Sequence, residues 1–276
     1  MEVGAKVYLF GLLLNDSHRV ADALLPARAL LKAPAGGDRD GWGLGYFEGG
    51  EVLFNKRPRH EGGEVDFYEL AADIRTQALI GHRRTATVGE LREENTHPFR
   101  MRSWLFAHSG TVRGFGDFRA KLDAELPAHF ERMRPGDTDS ERIFHQFMAY
   151  LGEKTRTDDP NVKITALIDA MRRTVARLDA LASSVGAIDA GPMAIVLTNG
   201  RQLLGVTRGL PMVAFARNDT PIPAYEPAAL KSVLLVSAPD AHRSSAPGAV
   251  NIPDGSIAAV DRNLHFAVHP LGKQAI

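Results

Sequence analysis

Five short segments hold the residues of this chain whose types and spacing could do chemistry: "DRDGWGLGYF", "GHRRTATVG", "ENTHPF", "FAHSGTV" and "GDTDSERIF". Histidines 82, 97 and 108 have the side chain for a metal ligand. Arg83 and Arg84 adjoin the first of them and oppose a cation, so structural histidines are the stronger reading and no metal is expected. Arg84 precedes a Thr-Ala-Thr-Val-Gly loop, where it can offer a planar fork to a carboxylate or be an ordinary surface cation. Asp139 opens an amphipathic stretch. It or Thr138 can cap a helix, a role worth ~1 kcal/mol, and Asp139 can also face a ligand ammonium. Ser109 follows His108 at the end of an apolar run and resembles a nucleophile beside its base. Successive strand residues point to opposite faces, however, which separates that pair.

The elements that must carry these groups are legible from periodicity. "KVYLFGLLL" reads as a buried strand, and residues 17–32 as a helix interrupted near Pro26. "GWGLGYFEGGEVLFNKRP" reads as a hairpin turning at Gly49-Gly50. "VDFYELAADIRTQ" places Phe67, Leu70, Ala71 and Ile74 on one helical face. "ALIGHRRTATVG" and "SWLFAHSGTV" are strands ending in loops. "FGDFRAKLDAELPAHFERM", "TDSERIFHQFMAYL" and residues 160–184 are helices, the last with a long apolar stripe facing the core. "PMAIVLTNGRQLLGVTRG" is a hairpin with Asn199-Gly200 at its turn, and "SVLLVSAP", "GSIAAVDRN" and "HFAVHPL" are further strands. "RNDTPIPAYEPAALK" is a surface loop. Strands, helices and strands again predict one α+β domain over residues 1–276.

Bulk composition excludes several classes. Lysine plus arginine, 33, equals aspartate plus glutamate, 33, so no global field exists to hold nucleic acid or an anionic membrane. No apolar run approaches the ~20 residues of a membrane span, and no cleavage site follows the first apolar stretch, so a cytoplasmic location is expected. Cysteine is absent, which removes disulfides, thiolate metal sites and cysteine nucleophiles together.

Taken in order, the segments resemble the class II glutamine amidotransferases of the N-terminal-nucleophile hydrolase superfamily. The likeness is strongest to small stand-alone members such as the γ-glutamyl hydrolases of ergothioneine synthesis. "DGWGLGYF" resembles their Asp-Gly-Trp-Gly hairpin and "HRRTATVG" their His-x-Arg-x-Ala-Thr-x-Gly loop. "NTHPF" is present as such, "AHSGTV" resembles the His-Asn-Gly strand end, and "GDTDSE" resembles Asp-Thr-Asp-Ser-Glu. The resemblance implies a four-layer αββα sandwich. It also implies that Arg84 holds the α-carboxylate of glutamine and Asp139 its α-amine. Thr87, Ser109 and Gly110 complete that substrate pocket, with Val88 and Gly89 continuing its wall.

Two departures bear on activity. The family nucleophile is an N-terminal cysteine on a Cys-x-Leu-Phe-Gly strand; the matching "VYLFG" puts Val7 there, with six residues before it. Valine has no heteroatom to attack with. Ser109 stands where the family has the asparagine of its oxyanion hole, and loss of one such donor typically costs ~3 kcal/mol of barrier. The expectation is a catalytically degenerate pseudoenzyme: no catalytic residues (Val7 and Ser109 both altered), no cofactor, and no glutaminase activity. It would bind a glutamine-like or γ-glutamyl ligand, or act as a subunit of a protein partner or homo-oligomer. The alternative is an enzyme of changed, non-cysteine amidohydrolase or transferase chemistry using His108, Ser109, Asp139 and Arg84 in the same pocket.

Overall fold

The computed structural model describes residues 8–33, 40–59, 63–85, 90, 92–131, 136–159, 161–219, 229–244 and 246–272. The described chain begins with strand β1 (Leu9–Leu14), helix α1 (Val20–Leu24) and the two-residue strand β2 (Lys32–Ala33). A hairpin of β3 (Asp40–Glu48) and β4 (Glu51–Arg57) follows, with Gly49 and Gly50 both at positive φ in its turn. Next come β5 (Val65–Asp66), α2 (Phe67–Ala71), β6 (Ala78–Thr85), β7 (Phe99–Met101) and β8 (Trp104–Gly110). Four helices occupy the middle: α3 (Phe115–Glu125), α4 (Ala128–Glu131), α5 (Asp139–Gly152) and α6 (Ile164–Ser184). The remaining strands are β9 (Met193–Thr198), β10 (Leu203–Arg208), β11 (Met212–Asn218), β12 (Lys231–Ser237), β13 (Ala249–Ile252), β14 (Ser256–Val260) and β15 (Phe266–Pro270).

The strands form two large antiparallel sheets, β13-β11-β12-β1-β6-β3-β4 and β15-β14-β10-β9-β8-β7, with a small β2-β5 pair beside them. Alternation along β1 sorts its side chains between layers. Leu9 and Leu13 face inward and meet Leu105, Val196 and Leu203 of the second sheet. Phe10, Leu12 and Leu14 face outward and are covered by Leu24 of α1 and Phe67 of α2. On the far side Phe144 and Phe147 of α5 and Leu167, Met171 and Leu178 of α6 pack on Phe106 and Ile195 of the second sheet. Phe106 and Phe144 stack with ring centroids 5.0 Å apart. The result is the expected four-layer αββα order. No helix among the described residues is long and apolar enough to cross a membrane.

Several elements differ from the sequence reading. The helix expected over residues 17–32 is one five-residue turn of α-helix followed by a 3-10 turn at Leu25–Ala27, and α2 is also only five residues. Pro127 divides the helix expected after residue 115 into α3 and α4. The long helix starts at Ile164 rather than 160. Strands β7, β11 and β13 were not apparent. β11 continues to Asn218, into the segment read as a loop, while residues 220–228 of that segment lie outside the described residues.

The inner faces approach closely at two glycines. A Cβ on Gly11 would collide with Val196 across the sandwich, and one on Gly205 would lie 2.7 Å from Leu235 Cδ1. Gly11→Ala is therefore expected to lower stability by ~1–3 kcal/mol through overpacking. Urea unfolding should show a lower midpoint with unchanged slope.

Candidate functional site

A cavity of about 400 Å³ opens where the ends of β6 and β8 meet the start of α5. His82, Arg83 and Arg84 come from β6, His108, Ser109 and Gly110 from β8, and Asp139 and Ser140 from α5. Tyr8, His97, Pro192 and Leu210 complete much of the remaining wall. Four residues singled out from the sequence, Arg84, Ser109, Gly110 and Asp139, thus line one cavity. Val7, Thr87, Val88 and Gly89 lie outside the described residues.

Strand register explains the convergence. His82 sits opposite Leu9 on β1 and Gly43 on β3. Gly43 has no side chain, and a Cβ there would collide with the His97 carbonyl, so the "ENTHPF" segment settles directly on the sheet. Its imidazole then packs on His82 with centroids 4.1 Å apart. From the facing sheet, Ser109 Oγ shares a 3.2 Å hydrogen bond with His82 Nε2. His108, next to it on the strand, instead places Nδ1 2.9 Å from Ser140 Oγ. The histidine that meets Ser109 is therefore 27 residues away in sequence and on another sheet. No local pattern could have revealed it.

Backbone geometry at the strand end also constrains the site. Gly110 has φ 136, and a Cβ there would collide with the Pro192 carbonyl. Only glycine tolerates both.

The polar groups sit in a dry environment. Arg84, Asp139, His82, His97 and His108 are all buried. Burial lowers the Arg84 pKa from its ordinary value, with the charge of Asp137 opposing that shift. Burial first, then His108 and the Arg84 and Arg83 cations, lower the His82 pKa to about 3. His97 is depressed by burial and by its histidine, Lys56 and Arg84 neighbours. Burial also depresses His108, against the opposing charge of Asp139. All three imidazoles are neutral near pH 7. No group of three or more side chains suited to a metal occurs among the described residues.

Asp139 is more than a cap. The α5 cap is Thr138, whose side chain accepts the Glu141 amide. Asp139 Oδ2 accepts the Val112 amide at 2.9 Å, and Oδ1 accepts the Ser140 amide at 2.8 Å and the Ser140 hydroxyl at 3.3 Å. A carboxylate offers about four acceptor sites, so roughly one remains for a ligand. Asp139→Ala should then cost ~1–3 kcal/mol by stranding the Val112 amide, beyond the ~1 kcal/mol of a cap. Chemical denaturation of the ligand-free protein measures this.

The depressed histidines give stability a definite pH dependence. In the unfolded chain His82 takes a proton near 6.5, whereas the folded chain resists it down to about 3. Between these values the unfolded state binds more protons, so stability falls as pH falls, by up to ~1.4 kcal/mol per pH unit for each histidine kept neutral. His82→Gln should reduce that slope between pH 6.5 and 4. An unchanged slope would show that His82 is not held neutral.

With this geometry established, comparison with known proteins is direct. The family model for class-II glutamine amidotransferases matches residues 11–231. A probable glutamine amidotransferase of Saccharomyces cerevisiae is 28% identical over 179 residues, 61% of this chain and 50% of that protein. The gamma-glutamyl-hercynylcysteine sulfoxide hydrolase of Mycobacterium tuberculosis is 30% identical over 141 residues, 50% of this chain and 58% of the relative. The chain thus spans about half the length of the curated relatives it matches. A solved glutamine aminotransferase class-II domain protein of Silicibacter pomeroyi shares the fold at TM-score 0.59 and 18% identity, covering 96% of this chain and 99% of that one. Matched by the family model over residues 11–231, most of its length, the chain belongs to the class-II glutamine amidotransferase family.

Proposed function

We propose that this protein binds an α-amino acid or γ-glutamyl compound in the β6–β8–α5 cavity without hydrolysing glutamine by the family's cysteine mechanism. The observation that carries this is the pairing of a retained binding end with an altered reacting end. Arg84 and Asp139 line one cavity with Gly110, supplying opposite charges for the carboxylate and ammonium of an amino acid. The sequence contains no thiol at all, and the resemblance puts Val7 at the nucleophile position. Thr87 would join the substrate contacts by the same resemblance. A γ-glutamyl ligand is supported by the relative named as a gamma-glutamyl-hercynylcysteine sulfoxide hydrolase. One domain with this pocket would serve as a ligand-binding subunit, alone, as a homo-oligomer or beside a protein partner.

Ser109 is the second altered position. A hydroxyl is one bond shorter than the family's carboxamide. The His82 tautomer decides what the hydroxyl can do: with the proton on Nδ1, Ser109 gives its only hydrogen to Nε2 and none remains for an oxyanion, whereas with the proton on Nε2 Ser109 accepts and its hydrogen stays available.

The same contact raises a second reading, in which Ser109 is a nucleophile and His82 its base. Two features oppose it. A base must take a proton near working pH, yet burial and nearby cations hold His82 at about 3. Among the described residues its buried Nδ1 has no hydrogen-bond partner, and no carboxylate among them orients the ring or stabilises an imidazolium.

Calorimetry with L-glutamine, L-glutamate and γ-glutamyl amides tests the proposal. Arg84→Ala should weaken binding by ~2–5 kcal/mol, since a desolvated carboxylate loses its partner. Ammonia release from glutamine should not exceed that of Ser109→Ala. Release clearly above this control would overturn the proposal in favour of changed catalysis, and an absence of binding would make Arg84 and Asp139 structural.

A further inference from the structure

The segments "ENTHPF" and "GDTDSERIF" meet in a polar seam just behind the pocket. Residues 136–138 have no regular secondary structure, so neither ladder nor helix bonds hold them. Side chains do so instead. Asn95 Oδ1 accepts the Asp137 amide at 3.3 Å, while Asn95 Nδ2 donates to the Glu90 carbonyl at 3.1 Å. Glu141 reaches back from the first turn of α5, and its Oε1 accepts the Gly136 amide at 3.3 Å. Arg142 Nη1 donates to the carbonyls of Gly136 at 3.1 Å and Thr138 at 3.2 Å. Asn95, Glu141 and Arg142 are all buried. The fit leaves no spare room: a Cβ on Gly136 would lie 2.7 Å from Asn95 Oδ1 and 3.0 Å from Glu141 Oε2.

This seam joins two walls of the cavity. Two residues beyond Asn95, His97 packs on His82. Two residues beyond Asp137, Asp139 lines the same cavity. The direction of a side chain at a helix start follows from the backbone immediately before it, and recognition of a charged group tolerates displacement of only ~0.5 Å.

We propose that Asn95 and Glu141 are positioning residues, fixing the Gly136-to-Thr138 backbone so that Asp139 faces a ligand α-ammonium. The assignment rests on the amino-acid-binding reading above. Neither residue touches the ligand; both act through the main chain. The rest of the acceptor set follows from this role. An acceptor must remain at each position, and at Glu141 an amide can supply it as well as a carboxylate.

Amide hydrogen exchange at Gly136 and Asp137, measured together with the Kd for L-glutamine and L-glutamate, tests this. Asn95→Ala should speed exchange at Asp137, and Glu141→Ala at Gly136, each at least about tenfold, with Kd raised at least about fivefold. Glu141→Gln keeps Oε1 as an acceptor and should stay within about twofold of the parent in both readouts. A merely structural role would lower Tm but leave Kd unchanged in variants that still fold. Folded Asn95→Ala with the parent's Kd therefore overturns the assignment, as does Glu141→Gln behaving like Glu141→Ala. If Glu141→Ala does not fold, Asn95→Ala and Glu141→Gln decide the matter. A parent that binds neither amino acid overturns the binding reading and this assignment together; a parent that binds while folded variants bind equally overturns this assignment alone.

Discussion

Everything at the candidate site depends on how closely two antiparallel sheets face each other. Gly11 and Gly205 leave room for Val196 and Leu235 to cross the midplane, and the sheets pack without side-chain spacers there. That spacing lets His82 of one sheet reach Ser109 of the other at 3.2 Å. A wider sandwich would leave Ser109 exposed and His82 hydrated. Instead the apolar layer of Leu9, Ile80, Leu105 and Ala107 ends against a cluster of neutral imidazoles. Hydrophobic packing thereby sets the electrostatics of the pocket, because the desolvation that lowers the histidine pKa values comes from the same close approach.

The layers themselves were legible in sequence because burial on both faces leaves uninterrupted apolar runs, as in β1, β9 and β12. The long helices were legible because only one stripe of each is apolar, as in α6. Elements whose stability comes from neighbours were not. β7 is three residues long and exists through its ladder to β8, with Phe99 opposite Phe106. Among the described residues β13 pairs only with β11, and it alternates little in its exposure. In β7 and β13 tertiary pairing outweighs local propensity. Helix α2 was legible from its apolar face, but its start at Phe67, after an extended Asp66 whose side chain caps it, is not shown by a helical wheel.

The site divides in the same way. Arg84, Ser109, Gly110 and Asp139 could be picked out through the resemblance of their segments, taken in order, to one family; singly each segment is a weak signal. Their convergence follows from topology: β6 and β8 lie in different sheets, and α5 begins where the chain returns to them. The His82–Ser109 contact and the Asn95–Gly136 seam are long-range polar contacts and leave no periodic trace. Asp139 shows the limit most clearly. Its position suggested a helix cap, but Thr138 takes that role, and Asp139 spends most of its acceptor capacity on Val112 and Ser140.

Binding and turnover are separable in such a pocket on physical grounds. Contacts to the carboxylate and ammonium of an amino acid are remote from the bond that would break, and they are made equally in the ground state and the transition state. They lower Kd without lowering the barrier. Barrier lowering requires groups whose interactions strengthen as charge develops, namely an activated nucleophile and donors aimed at the oxyanion. On the proposed reading Arg84 and Asp139, which line the cavity, belong to the first class. The second class would have to come from a sequence with no thiol, a serine hydroxyl engaged with a neutral histidine, and the Gly110 amide. A single backbone donor can still orient a γ-carbonyl. On the proposed reading, which lacks the family's attacking thiol, that orientation adds to affinity and specificity rather than to turnover.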